Sequence, residues 1–348
     1  MSDIPEPHKR RPRYSGKNPR RFEHKYKEHA PSLYPEAVQK ILDQGKTPAG
    51  AHRPIMVPEI LEALAPMPGD LAVDCTLGFG GHSQALLPRL LPGGRLLGID
   101  ADPIELPRTE ARLREAGFLS DAFTAHRCNF AGITAVLATE NGRRANVVLA
   151  DLGVSSMQLD NPARGFSLKY DGPLDMRMNP SKGQPARELL LRLTPGKLQE
   201  ILTENADEPH AAAVSTTLAG KDFPTTLALA REVRTTLKTR PNEEQELSAR
   251  RVFQALRIAV NQEFDVLDTL LKQLPDCLAE GGRVAILSFH SGEDRRVKKA
   301  FEAGLHDGVY GVISQEIIRA GEQERRANPR SKSAKLRWAR KAHSKAPA

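Results

Sequence analysis

Residues 70–91 read DLAVDCTLGFGGHSQALLPRLL. An apolar run from Leu71 to Cys75 meets a glycine turn, and the stretch beyond it continues as a helix. A strand that passes through glycines into a helix is the opening unit of a parallel α/β sheet. The same alternation repeats outward. GRLLGID gives a second strand ending at Asp100, a helix follows over Ile104 to Ala116, and a weaker third strand lies near Ala122 to Arg127. ANVVLAD gives a fourth strand ending at Asp151, and a short helix around Pro58 to Ala65 precedes the whole series. After Asp151 the pattern stops. DLGVSSMQLDNPARGFSLKYDGPLDMRM, residues 151–178, is rich in Gly, Pro, Asp, Arg and Ser and has no period. A long stretch of this kind at a strand end costs conformational entropy and is either functional or disordered.

A helix-dominated block, Pro185 to about Ser248, comes next. Phe253, Leu256, Val260, Phe264, Leu267, Leu271 and Leu274 then recur at steps of three and four, the stripe of one long amphipathic helix. It runs into GGRVAILSFHS, a fifth strand. The expected architecture is α/β: a Rossmann-like, doubly wound sheet over residues 51–158 and 249–340, split by a loop and helical insertion over 159–248. The insertion falls between strands four and five. Residues 1–50 form a basic leader without apolar periodicity, for which disorder is expected, and 341–348 a basic tail.

Length and composition agree with a globular chain. The 348 residues are 39% hydrophobic, enough for a core. No run of about 18 apolar residues exists and the N-terminus lacks a signal-peptide centre, so a soluble cytoplasmic protein is expected. Cys75, Cys128 and Cys277 are too widely spaced for a metal knuckle or a disulfide framework, and core positions are expected for them. No His/Cys/Asp set has metal spacing, so no metal is expected, and nothing asks for an obligatory protein partner. The net charge of +8 is uneven: residues 1–30 hold nine Lys/Arg against four Asp/Glu, and residues 325–348 hold nine against none. Two basic arms on an acidic body favour a nucleic-acid partner, although solubilising tails would look the same.

Ligands of open α/β sheets sit at the carboxyl ends of the strands. There Gly78, Gly80 and Gly81 permit close backbone approach, but Ser83 replaces the third glycine of G-x-G-x-x-G, which disfavours a dinucleotide. Asp100 is placed to accept from ribose hydroxyls, a helix cap being the other reading. Asn129 and Phe130 fall where an adenine could lie, although Phe130 alone also fits a core. A methyltransferase cofactor suits this set better than NAD. Asp151 to Ser155 then border the reactive end, where Asp151 could accept a proton from an amine or simply fix the loop. Ser288, His290, Ser291, Glu293 and Asp294 form either a catalytic or positioning cluster or a helix cap. His82 is open between core and site. Arg250, Gln254, Arg257 and Asn261 share a polar helix face that could meet phosphates.

The strings DCTLGFGGHS, residues 151–178, RVFQALRIAVNQE, GGRVAILSFHSGEDRRVKK and NPRSKSAKLR together resemble the bacterial 16S ribosomal RNA cytosine-N4 methyltransferases, the MraW family. The resemblance runs collinearly from about His52 to Arg340. It implies a class I methyltransferase fold and S-adenosyl-L-methionine as cofactor. The implied reaction is methylation of the exocyclic N4 of a cytidine in the decoding region of 16S rRNA, so the implied partner is that RNA or the small ribosomal subunit. It implies cofactor contacts at Gly80, Gly81, His82, Asp100, Phe130, Asp151 and Gln158, the last reached only in this way. Asp151, Ser155 and His290 are the catalytic candidates. Two departures stand out. Gly292 replaces the family's usual Leu in SFHSLED, which would loosen the start of the following helix, and ADEPHA stands around Asp207 and Glu208 where the family has GEE. A DNA amino-methyltransferase would carry Asp/Asn/Ser-Pro-Pro-aromatic after strand four, where this chain has DLGV. A ribosome-assembly RNA binder without turnover is the remaining alternative.

Overall fold

The structure, a computed structural model, describes residues 54–343, with the side chains of Ser156 and Met157 left aside. The basic leader 1–50 and the last residues of the tail, 344–348, lie outside the described residues. Helix α1 (Val57–Leu64) leads into β1 (Leu71–Asp74), α2 (Gly81–Leu90), β2 (Arg95–Asp100), α3 (Glu105–Glu115), β3 (Phe123–Arg127), α4 (Ile133–Ala138) and β4 (Ala145–Asp151). The alternation read from residue 70 onward is therefore the observed one. Strands β1 to β4 pair in parallel, as does β5 (Leu278–Ser288) against β4. The strand order is β3-β2-β1-β4-β5-β7-β6, so the direction of winding reverses between β1 and β4. The crevice at such a reversal, at the carboxyl ends of the strands, is where open α/β sheets hold ligands.

Both faces of the sheet are covered, and the strands show it residue by residue. Leu71, Val73 and Cys75 point to the face closed by α4, α11 (Glu263–Cys277) and α12 (Ser291–His306), while Ala72 points to the face closed by α1, α2 and α3. Cys75 and Cys277 are buried in the first of these cores and Cys128 packs against it, as their spacing suggested.

Two strands escaped the sequence reading. β6 (Tyr310–Ile313) and β7 (Lys335–Lys341) close the sheet, with β7 antiparallel to both β5 and β6. The sheet is therefore mixed, and much of the supposed basic C-terminal arm is an inner strand. Its charges found partners: Arg337 Nε donates to Asp294 Oδ1 at 2.7 Å, and Lys341 Nζ donates to the carbonyl of Leu278 at 2.9 Å.

Between β4 and β5 lie α5 (Ser156–Asp160), the crossing loop to Pro185, then α6 (Ala186–Arg192), α7 (Pro195–Ala206), α8 (Ala211–Leu218), α9 (Thr226–Thr236) and α10 (Asn242–Asn261). These helices bury a third apolar cluster of their own, built from residues such as Leu190, Leu202, Val214, Val233 and Leu256. The stripe expected to be one long helix is two. Gln262 adopts a left-handed conformation, φ 52°, and separates α10 from α11. Phe253 and Leu256 belong to the insertion core, whereas Leu267, Leu271 and Leu274 belong to the sheet core. A single straight helix could not serve both.

Arg257 clamps this break by donating from Nε and Nη2 to the two carboxylate oxygens of Glu263, each at 2.8 Å. Gln254 Nε2 donates to Asn205 O at 3.0 Å, and Asn261 Nδ2 donates to Met176 O at 2.8 Å. The helix face expected to meet phosphates is thus mostly internal, with Arg250 left exposed. Among the described residues no helix is long and apolar enough to cross a membrane. Replacing one member of a buried ion pair strands the other, at about 3–5 kcal/mol. Arg257→Met should therefore lower the unfolding midpoint in urea strongly, and Arg257→Met/Glu263→Leu should recover most of the loss.

Candidate active site at the carboxyl edge of the sheet

The glycine turn after β1 is fastened from three sides. Gly78 N–H donates to Asp100 Oδ2 at 2.8 Å, Thr109 Oγ1 of α3 donates to Gly78 O at 2.5 Å, and the Arg112 guanidinium lies 3.8 Å above the Phe79 ring. Gly80 is the N-cap of α2 at φ 83°, and a Cβ there would stand 2.9 Å from Thr109 Cγ2. Both the sign of φ and the close approach require glycine at that position. Ser83 in the first turn of α2 donates to Asp74 Oδ2 at 2.6 Å. Asp74 is fully buried, and burial raises its carboxyl group above the ordinary range. The residue that breaks the dinucleotide motif therefore ties the start of α2 to the end of β1.

Asp100 ends β2 with one backbone donor on each carboxylate oxygen, Gly78 N–H on Oδ2 and Asp102 N–H on Oδ1 at 2.8 Å. Burial nonetheless pushes it up to about 6. The helix-capping alternative falls to Asp102, whose Oδ1 accepts from Ile104 N–H at 2.9 Å at the start of α3. Each oxygen of Asp100 keeps a lone pair for a further donor. Asn129 and Phe130 follow β3, whose Arg127 is the strand partner of Asp100. Asn129 is exposed, while Phe130 packs half-buried against the sheet core.

Asp151 ends β4, where Thr76 Oγ1 accepts its N–H at 2.6 Å. Its Oδ1 is shut off from solvent and takes no hydrogen bond among the described residues, while its Oδ2 lies 3.6 Å from His82 Nδ1. His82 Nε2 sits 2.9 Å from the carbonyl of Ile55. A carbonyl only accepts, so Nε2 carries a hydrogen toward Ile55, and Nδ1 is the ring nitrogen that faces Asp151. Burial pushes Asp151 up to about 6; His82 opposes this rise, and the carboxylates of Asp74 and Glu293 add to it. His82, open between core and site from the sequence, is thus buried and faces Asp151.

Gln158 and Ser155 form a reciprocal cap at the start of α5: Gln158 Oε1 accepts from Ser155 N–H at 3.1 Å, and Ser155 Oγ accepts from Gln158 N–H at 3.3 Å. Gln158 Nε2 also donates to Asp102 Oδ2 at 3.0 Å. Asp102 is the residue that the sequence reading missed. It is buried and receives Arg164 Nη1 at 2.8 Å on the same oxygen. Burial works against its charge, but Arg164 and its other donors hold the carboxyl below the ordinary range. Arg164 also donates to the carbonyls of Arg177 and Met178, at 3.0 and 2.7 Å. Asp175 pairs with Arg177 at 2.7 Å, and Asp171 Oδ1 accepts Leu227 N–H at 3.3 Å in the first turn of α9. The loop of residues 161–178 is therefore held by its own polar side chains. Asp102 lies two residues past Asp100, and that spacing was the available signal. Ile55 offered none.

His290 caps α12, accepting Glu293 N–H on Nδ1 at 3.4 Å with Nε2 3.1 Å from Glu293 Oε1. Ser291 points elsewhere, donating to Asp207 Oδ2 of the insertion at 2.9 Å. The start of α12 is not loosened by Gly292. A Cβ there would come within 2.6 Å of Phe264 Cζ, so the Phe264 ring fills the volume that the family's Leu would take. Ser288 lies at the end of β5, and Asp294 is consumed by Arg337. Among the described residues no group of His, Cys, Asp and Glu could hold a metal ion.

A family model described as the MraW methylase family matches residues 49–342. The chain is 49% identical over 351 residues to "Ribosomal RNA small subunit methyltransferase H 2" of Alkaliphilus metalliredigens, covering 98% of this chain and 100% of that one. It is 46% identical over 344 residues to "Ribosomal RNA small subunit methyltransferase H 1" of Lachnoclostridium phytofermentans, covering 96% and 93%. A third relative, "Ribosomal RNA small subunit methyltransferase H 2" of Acholeplasma laidlawii, is 48% identical over 339 residues, covering 95% and 97%.

Asp151 gives a stability signature. Its value of about 6 in the folded chain lies above the ordinary 3.8, so the native state holds this proton more tightly than the unfolded chain does. The stability from this group is complete below about pH 4 and is lost as pH rises through about 6. Asp151→Asn should therefore stabilise the protein at pH 7.5, on the order of 1–3 kcal/mol, and little at pH 4. Thermal unfolding at both values checks this.

Proposed function

Because the chain belongs to the MraW methylase family, we propose that it is an S-adenosylmethionine-dependent methyltransferase of small-subunit ribosomal RNA whose target is the exocyclic N4 amine of a cytidine in the decoding region. The observation that carries this reading is the carboxylate of Asp151, half-buried at the switch point, with one oxygen shut off from solvent and unpartnered among the described residues and the other facing His82 Nδ1. An exocyclic amine offers N–H donors, and an acceptor fixed at the reactive end suits it. No cysteine stands at this strand end, as attack on a pyrimidine ring carbon would need.

The residues fit the cofactor. The backbone of the Gly78 to Gly81 turn lies at the strand end with α3 packed against Gly80, Asp100 keeps acceptor capacity where ribose hydroxyls would donate, and Phe130 offers an apolar face beyond β3. S-adenosylmethionine supplies an electrophilic sulfonium methyl group when bound. We assign its adenosine to Asp100 and Phe130, and its amino-acid end to the Gly80, Gly81 and His82 turn. Gln158, fixed by Asp102, would close the wall between that end and the loop. Asp151 aligns the amine and takes up its departing proton on the carboxylate, beside His82 Nδ1. Ser155 and His290, the other catalytic candidates, act by positioning: one sets α5 and Gln158, the other caps α12 at the end of β5. The target base must be unstacked to reach this crevice. The loop and helices of residues 159–248 are assigned to holding the RNA around it.

Incubation with labelled S-adenosylmethionine and small subunits lacking the modification should place label at a single cytidine, read by nuclease mapping and mass spectrometry. Label on no cytosine would overturn the reading. Asp151→Asn should lower kcat by about 10²–10⁴-fold. Because Asp151 must be ionised to accept, kcat/KM of the unaltered protein should fall as pH drops below about 6.

A further inference from the structure

The chain between β6 and β7 belongs to none of the machinery above, although it carries the NPRSKSAKLR string and a dense set of cations. From Arg319 to Lys335 it holds Arg319, Arg325, Arg326, Arg330, Lys332 and Lys335 against Glu322 and Glu324. It is anchored at both ends of the crevice. Glu324 Oε1, in helix α13 (Glu322–Ala327), accepts Met56 N–H at 2.9 Å. Met56 is the neighbour of Ile55, whose carbonyl fixes His82. Six residues on, Arg330 Nη2 donates to both carboxylate oxygens of Asp160 at 3.0 and 3.1 Å, and Asp160 ends the short helix that carries Gln158. Apolar residues pin the same segment from beneath: Ile318, Ala320 and Ala334 pack with Ile55, Met56 and Ile60. The segment is thus a strap along the rim of the site, from the His82 side to the Gln158 side.

Its charges divide into two groups. Arg326, Arg330 and Lys335 are paired with Glu322, Asp160 and Asp294. Arg319, Arg325 and Lys332 are exposed and make no ion pair among the described residues. Cations held on an ordered backbone beside a catalytic crevice, without acidic partners, lower the potential energy of a polyanion there.

We propose that this strap is a docking surface for the phosphodiester backbone of the substrate RNA, with Arg319, Arg325 and Lys332 contacting phosphates next to the target nucleotide. The proposal rests on the RNA substrate inferred in the preceding section. Contacts to phosphate position the RNA and carry no sequence information, so the strap sets the register of the nucleotide at Asp151 and leaves the identity of the base to the crevice.

The test measures binding of a small-subunit rRNA fragment at several salt concentrations without methyl donor. Arg325→Gln/Lys332→Gln is compared with Lys272→Gln/Lys299→Gln, which removes two exposed charges from α11 and α12 on the opposite face of the sheet. Each phosphate that a cation no longer neutralises reduces the slope of log K against log salt by about 0.7–0.9. The strap variant should therefore show a slope shallower by about 1.5 and bind the fragment more weakly in low salt, while the control pair keeps the slope of the unaltered protein. An unchanged slope in the strap variant, or an equal change in the control pair, overturns the proposal. Binding is read apart from turnover, so failure to find methylated cytidine would strike the reading of the preceding section and not this one.

Discussion

The buried ion pair between Asp102 and Arg164 is the constraint on which the rest of the site depends. Asp102 sits just past β2, starts α3 by accepting backbone N–H groups, and receives both Gln158 and Arg164 on its other oxygen. Arg164 donates from Nη2 to two carbonyls at the far end of the crossing loop. One carboxylate thereby joins the second strand, the short helix after the fourth and the passage into the insertion. A buried pair of this kind adds little net stability over apolar packing, but losing one partner is costly. Its contribution is to leave the loop one arrangement.

Around that fixed frame the carboxyl edge of the sheet accumulates acid. Asp74, Asp100 and Asp151 end three neighbouring strands, and burial raises all three above the ordinary carboxylate range. Asp74 is satisfied by Ser83 and Asp100 by two backbone donors, so each has a structural reason to be there. Asp151 has less. An ionisable group held at a stability cost, with one oxygen unpartnered, is what a site evolved for donors presents before they arrive. Functional sites are where local rules of satisfaction are broken, and of the three strand-end carboxylates Asp151 is the one left with an unpartnered oxygen.

The insertion and the basic C-terminal segment are joined to this edge by different means. Asp207 of the insertion meets Ser291 and Arg295 of α12 through exposed contacts, which are individually weak. The C-terminal segment enters the sheet itself through β7, and Ile318, Ala320 and Ala334 of its strap pack into the sheet core.

The alternation of apolar runs and glycine turns determined the first five strands, because a strand buried on both faces needs an uninterrupted apolar stretch whatever surrounds it. Position at strand ends likewise marked Asp100 and Asp151, since the chemistry of such a sheet is confined to one edge. Resemblance supplied Gln158, whose partner Asp102 no periodicity could reveal. What sequence could not decide were matters of pairing. β7 is basic and reads as a tail, but it pairs with both β5 and β6, and Asp294 and the carbonyl of Leu278 receive the charges of Arg337 and Lys341 there. The stripe from Phe253 to Leu274 has an unbroken helical period, and only the presence of two separate cores forces the left-handed break at Gln262. Gly292 reads as a gap until Phe264 is seen to fill it. Local pattern fixes what a segment can become; which charge is neutralised and which space is filled depends on residues distant in the chain, and folding alone brings those together.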